Sequence, residues 1–392
     1  MRILIVQDTD WIRRNPIQHT HLAERLKLKG HEIRVIDYEI LWPSDGKREL
    51  FSQKQIFHVS RITENANILV VRPSILKLPL LDYFSMVFTY RKEISNQIKE
   101  FKPDVIIGND ILTPYLAYNL AKRNNIPTVF YAIDIEHKLI PYNFLQPIGK
   151  YLEAKNINSA DLVISINEGL REYTIKMGAN RARTVVIRAG IDAQRFDPGI
   201  SGEEIRQRYG IEKEDIVLFF MGWLYTFSGL TEVALELKNL KNKKIKFLIV
   251  GEGDAYESLK RIRDDNSMQD QIILTGKQPY ETLPKFIAAS DLCLLPAYNN
   301  EIMRDIVPIK MYEYMAMAKP VLATKLPGVI MEFGNDNGVV YIDKPEDTLN
   351  KAIDLINEGS LIECGQKSRR FVENLTWDKI TDEFENILES II

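Results

Sequence analysis

The sequence predicts an α/β protein made of two doubly wound domains. Three observations carry the prediction. Short runs rich in Val and Ile alternate with longer amphipathic segments along the whole chain. These runs are continuously apolar instead of apolar at every second residue, which marks parallel strands covered on both faces. The 392 residues exceed one ordinary core and suit two, at roughly 100–200 residues each.

The first series of runs covers 2–6, 33–37, 67–71, 104–108, 127–132, 161–165 and 184–188, with helical patterns at 17–29, 84–100, 113–124 and 166–177. The opening Met1-Arg2-Ile3-Leu4-Ile5-Val6-Gln7-Asp8 turns polar too soon for a secretion signal and reads as a buried strand. Arg188-Ala189-Gly190-Ile191-Asp192 and Asp197-Pro198-Gly199 supply the Gly, Asp and Pro that end the seventh strand and open a connector. The second series covers 215–221, 245–250, 271–275, 292–295, 320–323 and 338–341, with helical patterns at 229–240, 254–264, 280–289, 309–317 and 345–357. A closing helical segment spans about 366–392. The expected domains are therefore 1–192 and 193–372, with a terminal helix over 373–392. Ligands of open α/β sheets bind beyond the carboxyl ends of the strands, so a cleft between the domains is the expected site.

Composition excludes several classes. Lys plus Arg is 51 against 54 acids, a net charge of −3, which argues against a dedicated nucleic-acid binder. Two cysteines, Cys293 and Cys364, exclude a disulfide framework and fit a reducing compartment. No apolar run reaches the ~18 residues of a membrane span. The expected place is the cytoplasm, or the inner face of the membrane. The apolar stretch 75–90, ending at Arg91-Lys92, suits peripheral contact with a bilayer, although a helix entry packed on the sheet is the preferred reading.

The segment richest in chemistry runs from Arg304-Asp305-Ile306-Val307-Pro308-Ile309-Lys310-Met311-Tyr312-Glu313 to Lys319-Pro320-Val321. Two acids eight positions apart bracket the start of a helix that leads into a buried strand. Free N–H groups there favour phosphate, and carboxylates suit sugar hydroxyls. This segment resembles the signature of the GT-B glycosyltransferases of family 4, two Glu separated by seven residues. Gly251-Glu252-Gly253, Gly276-Lys277-Gln278-Pro279-Tyr280, Ala289-Ser290-Asp291, Gly190-Ile191-Asp192 with Phe196 and Pro198, and Thr376-Trp377 are similar to further family segments in order and spacing.

The resemblance implies two Rossmann-like domains facing a central cleft and a retaining transfer from a UDP- or GDP-sugar to a glycan, lipid or small-molecule acceptor. No metal or separate cofactor is implied, and the closing helix would cross back to the first domain. By position, Glu313 would hold the ribose and Asp305 the donor sugar, with Glu301 as a substitute. Gly222, Gly253, Lys277 and Gln278 would line the donor site. The family's Arg and Lys that clamp the diphosphate are replaced by Trp223 and Ser228. Lys310 and Arg304 are the nearest cations in sequence to take their place, and Arg13 and Arg14 suit an acceptor's phosphate or the donor diphosphate, or a solvated charged loop. Trp223 and Phe227 equally suit core packing or stacking on a sugar or base.

After the fifth strand, Asp134 stands where the family places a His, and His137 follows one turn on. Either suits orientation of the donor sugar, and a structural role for His137 ranks no lower. Asn109-Asp110 is a similar candidate that could instead cap the helix opened by Thr113-Pro114. Asp8-Thr9-Asp10 matches a metal motif of another fold and is discounted, and His19 with His21 point to different helix faces, poor metal geometry. Two other readings stay open: a nucleotide-sugar-binding protein without turnover, and a GT-B epimerase. The acid spacing favours transfer.

Overall fold

The computed structural model describes residues 1–14, 16–40, 42, 49–140, 142–240, 243–304 and 306–392. The chain divides into two compact units, Met1–Gly190 with Trp377–Ile392, and Ile191–Thr376.

Unit 1 holds β1 (Arg2–Val6), β2 (Glu32–Ile36), β3 (Gln55–Val59), β4 (Ile68–Arg72), β5 (Val105–Gly108), β6 (Thr128–Ala132), β7 (Leu162–Ser165) and β8 (Thr184–Val186) in one sheet of order β3-β4-β2-β1-β5-β6-β7-β8. All pairings are parallel except that of β3 with β4. Leu4 and Val6 pack under α2 (Leu81–Glu100) and α3 (Leu112–Arg123), beside Ile157 of α4 (Gln146–Ser159). Ile3 and Ile5 line the opposite face with Leu26 of α1 (Gln18–Leu28) and Phe384 of the last helix, α14 (Trp377–Glu389). Both faces of β1 are thus buried, which is why its sequence does not alternate. α14 is tied to α1 by His21 stacked on Trp377 at 4.1 Å, and beyond α1 by Lys29–Asp382 and His31–Glu385 contacts of 2.6 Å. α5 (Glu168–Lys176) completes the unit.

Three carboxyl-edge loops of this sheet are pinned by one buried ion cluster. Arg72, ending β4, donates through Nη2 to Asp10 at 2.7 Å and Asp37 at 2.5 Å, and through Nε to Asp37 at 3.0 Å. Asp10 also accepts from the Ile12 and Arg13 N–H groups, and Asp37 from that of Trp11.

Unit 2 is a six-stranded parallel sheet of order β11-β10-β9-β12-β13-β14. Its strands are β9 (Ile216–Met221), β10 (Ile245–Val250), β11 (Ile272–Leu274), β12 (Leu292–Leu295), β13 (Val321–Thr324) and β14 (Val339–Ile342). The helices are α6 (Glu203–Arg208), α7 (Leu230–Asn239), α8 (Tyr256–Asp265), α9 (Leu283–Ala288), α10 (Ile309–Ala316), α11 (Pro327–Phe333), α12 (Thr348–Asn357) and α13 (Leu361–Val372). The strand order reverses between β9 and β12, and such a reversal opens a crevice at the carboxyl ends.

The structure departs from the sequence reading in the closing segment. The single helix expected over 366–392 is two helices, α13 and α14, separated at Asn374-Leu375-Thr376. The chain passes there from unit 2 back to unit 1, and the Ile191 N–H donates to the Leu375 carbonyl at 2.7 Å. β3 was not among the expected strands, because Gln55, Ile56 and His58 face solvent at the sheet edge. No helix of the described residues is long and apolar enough to cross a membrane.

Candidate functional site

The carboxyl edge of the unit 2 sheet gathers several of the expected residues. Gly222 follows β9 with φ +125°. Gly251, at the end of β10, has φ +145°, and a Cβ there would run into the Gly222 carbonyl. A Cβ on Gly253 would lie 2.7 Å from the Leu224 nitrogen. The two loops therefore pack backbone on backbone, a close approach only glycine permits.

Lys310, in the first turn of α10, lays its Nζ 4.0 Å from the Phe220 ring centre and 2.9 Å from where a Gly222 Cβ would stand. Burial pulls its pKa down to about 8, and Glu313 opposes that shift. Glu313 follows one turn on, buried, with Oε1 accepting from the Tyr280 hydroxyl at 2.7 Å. Burial raises the Glu313 pKa, while Tyr280, Lys310 and Arg195 restrain it. The Arg195 guanidinium lies 4.9 Å over the Tyr280 ring. Tyr280 and Arg195 were not among the expected site residues, because both contacts are long-range in sequence.

The two positions where the resemblance expects cations differ in exposure. Trp223 is exposed, with Nε1 donating to Asp254 at 3.4 Å, whereas Ser228 is buried and its N–H donates to the Tyr225 carbonyl. Tyr225 and Phe227 stack at 4.7 Å. Lys277 and Arg304 are exposed. The Gln278 side chain donates to the Thr275 carbonyl at 2.9 Å. Glu301 is exposed, and Asp305 lies outside the described residues.

The carboxyl edge of the unit 1 sheet carries a cluster of acids. Asp8 accepts from the N–H groups of Ile111, Leu112 and Thr113 and so caps α3. The sequence reading offered that capping as the alternative role of Asn109-Asp110. Asp110 instead accepts from the Asp8 N–H at 2.7 Å and shares a hydrogen bond with Glu136. Burial and the Asp8 charge push the Asp110 pKa up to about 7, and burial with Asp110, Asp134 and Glu153 pushes that of Glu136 up. Asp134 is open to solvent but crowded by protein, which raises it to about 6 against the pull of Arg14. Arg14 acts on Asp110 too, and both Arg13 and Arg14 are exposed. His137 is tied through Nδ1 to Glu153 at 2.7 Å, and Glu153 also accepts from Tyr173 at 3.0 Å. Asp8 and Asp10 serve different partners, and no described group of three His, Cys, Asp or Glu side chains forms a metal set.

Two Rossmann-like sheets of this kind define the GT-B fold, and solved structures of that fold are similar over the full chain. HepE of Anabaena, solved with UDP, gives a TM-score of 0.76 at 15% identity with all of both chains covered. A glycosyltransferase of Rickettsia africae gives 0.73 at 17%, covering all of this chain and 98% of that one. The family models agree: "Glycosyltransferase Family 4" matches residues 19–195 and "Glycosyl transferases group 1" matches 201–376. The chain belongs to the family 4 glycosyltransferases. Among curated relatives, the alpha-D-kanosaminyltransferase of Streptomyces kanamyceticus is 26% identical over 202 residues, half of each chain. The teichuronic acid biosynthesis glycosyltransferase TuaC of Bacillus subtilis, a putative assignment by its own name, is 27% identical over 50% of this chain and 47% of its own. The matches span about half the length of these relatives.

Proposed function

We propose that this chain is a retaining glycosyltransferase of the hexosyltransferase type, taking a sugar from a UDP- or GDP-sugar. The observation that carries the reading is the buried Glu313 carboxylate, held by Tyr280 and one turn from Lys310, at the carboxyl edge of the unit 2 sheet. Glu313 binds the ribose hydroxyls and Lys310 a diphosphate oxygen, with N–H groups at the starts of α7 and α10 adding donors. Gly222 and Gly253 let the backbone approach the phosphates. Asp305 is assigned to the donor sugar, and Asp134 and His137, in unit 1, are the further candidates for its hydroxyls. Lys277 and Gln278 lie towards the nucleotide base. Arg304, Arg13 and Arg14 supply further positive charge, and Trp223 with Ser228 occupies the clamp positions.

In the transfer, the acceptor hydroxyl oxygen bonds to the anomeric carbon as the bond to the β-phosphate oxygen breaks, on the same face. The departing phosphate takes the hydroxyl proton. The enzyme contributes positioning and charge stabilisation. Unit 1 holds the acceptor, a glycan or lipid-linked sugar, in the cytoplasm at the inner membrane face. Support comes from family membership and from neighbours solved with UDP.

A thermal-shift panel of UDP-, GDP- and ADP-sugars tests the reading. A ligand at a hundred times its Kd adds about 2.7 kcal/mol. One nucleotide class is expected to stabilise the wild type and not Glu313→Ala. Stabilisation by none overturns the enzyme reading, and stabilisation without turnover favours the binding protein that Trp223 at a cation position suggests.

Lys310 makes a pH-dependent prediction. Its ammonium is charged below about 8, and a bound phosphate favours the charged form. Nucleoside diphosphate affinity is therefore expected to fall as pH rises through 8. At a pH just above 8 the diphosphate is already fully ionised, so binding takes up a proton, measurable by calorimetry in buffers of different ionisation heat. Lys310→Met is expected to remove the uptake and to weaken binding about ten- to a hundredfold. Unchanged proton uptake in that variant would assign the effect elsewhere.

A further inference from the structure

α2 and α4 carry matching solvent-facing stripes that the transfer reaction does not use. On α2, Leu81, Phe84, Phe88 and Arg91 follow one another at helical spacing and are all exposed, while Asp82, Met86 and Tyr90 face the core. Around α4, Phe144, Ile148, Tyr151 and Lys155 do the same. Phe84, Phe88, Phe144, Ile148 and Tyr151 are each 57–67% exposed, a large apolar area to leave in water.

The two stripes belong to one surface. α2 follows β4 and α4 follows β6, so both helices start at the carboxyl edge of one sheet, on the same face, with α3 between them. The Phe84 and Phe88 rings meet at 5.3 Å, and those of Tyr142 and Phe144 at 6.0 Å. Tyr142 also adds to the burial and the Asp82 and Asp8 charges that push Tyr83 up to about 12, placing the two segments side by side.

Charge follows the same axis. Arg91 and Lys92 lie beyond the phenylalanines of α2, and Lys138, Lys150 and Lys155 accompany the α4 stripe, all exposed. None of the five has an ion-pair partner among the described residues. The only acids in 76–92 and 138–155, Asp82 and Glu153, are buried. On α2 the apolar side chains lie nearer the sheet edge with Arg91 and Lys92 one turn behind, and around α4 Lys138, Lys150 and Lys155 are interspersed with the apolar ones, a mixture that suits the boundary between acyl chains and headgroups of a bilayer. A second copy of the chain fits less well, because a two-fold contact would set the five cations against five more.

We propose that the exposed stripes of α2 and α4 seat unit 1 on an anionic lipid bilayer. This is independent of the donor reading, since nothing in it requires Glu313 or Lys310.

The test is sedimentation of the full chain with vesicles of phosphatidylcholine alone or mixed equally with phosphatidylglycerol, at about 0.05 M and about 0.5 M salt. The expected result is binding to the mixed vesicles that weakens at high salt. Phe84→Ser with Phe88→Ser should reduce it at least tenfold. Arg91→Gln with Lys92→Gln should reduce it roughly thirtyfold, at about one kcal/mol per cation. The charge pair guards against misfolding of the phenylalanine pair, and circular dichroism checks both. A wild type that stays in the supernatant, or variants that bind as the wild type does, overturns the proposal. So does self-association that the phenylalanine variants abolish, which would make the surface a protein interface.

Discussion

Replacing Glu313 by Ala is expected to lower kcat/KM for the nucleotide-sugar roughly a hundred- to a thousandfold. Two buried charge-assisted hydrogen bonds to ribose hydroxyls are lost together, at about 1.5–2 kcal/mol each. Glu313→Gln keeps an oxygen for Tyr280 but not the charge, so it should recover part of the binding. Tyr280→Phe should cost about tenfold, through KM more than kcat. Stability separates this role from a structural one. Burial already raises the Glu313 pKa, so the carboxylate costs the empty protein free energy. The unliganded Ala variant should melt no lower than the wild type, while its nucleotide-induced shift disappears. A variant that melts markedly lower without ligand would make Glu313 a structural residue.

Arg72→Met is expected to destabilise unit 1 by about 3–5 kcal/mol. The change leaves Asp10 and Asp37, whose side chains are fully buried, without their cation. Urea unfolding followed by tryptophan fluorescence reads it, since Trp11, Trp42 and Trp377 lie in this unit. The pH dependence has a definite sign. Carboxyls buried without a cation have folded pKa values above their unfolded ones, so the variant loses stability as pH rises through the carboxylate range. Its deficit should therefore be smaller near pH 5 than near pH 7.5. Arg72→Lys keeps the charge but cannot reach both acids as a fork, and an intermediate loss is expected. A pH-independent deficit would point to lost packing alone.

The strands were legible because burial on both faces writes itself as unbroken Val and Ile runs. β1, β5, β7 and β12 follow that rule most closely, β2 is interrupted by Glu32 and Arg34, and β3 escapes it as an exposed, antiparallel edge. α4 was harder to read, since its buried side includes Gly149, Glu153 and Asn156, which look polar in sequence. Glu313 could be named from its spacing to Asp305 and its place before a buried strand. Its partner Tyr280 could not, because 33 residues separate them. The Asp110–Glu136 pair is invisible for the same reason, as the ends of β5 and β6 meet only in the folded sheet. The exposed phenylalanines of α2 lay in an apolar segment read as core, and only their outward direction distinguishes the two cases.

The return of the chain to unit 1 through α14 has a consequence for how the protein is made. Unit 2 is one continuous stretch, Ile191–Thr376, whereas unit 1 needs a helix synthesised after all of it. During translation, unit 2 can finish while unit 1 still shows the ribosome exit a bare apolar face around Ile3, Ala23 and Ile33, where Phe384 will dock. The N-terminal half, made first, is completed last. A nascent chain stalled before Trp377 would hold one mature unit and one awaiting its cover, a natural client for a chaperone.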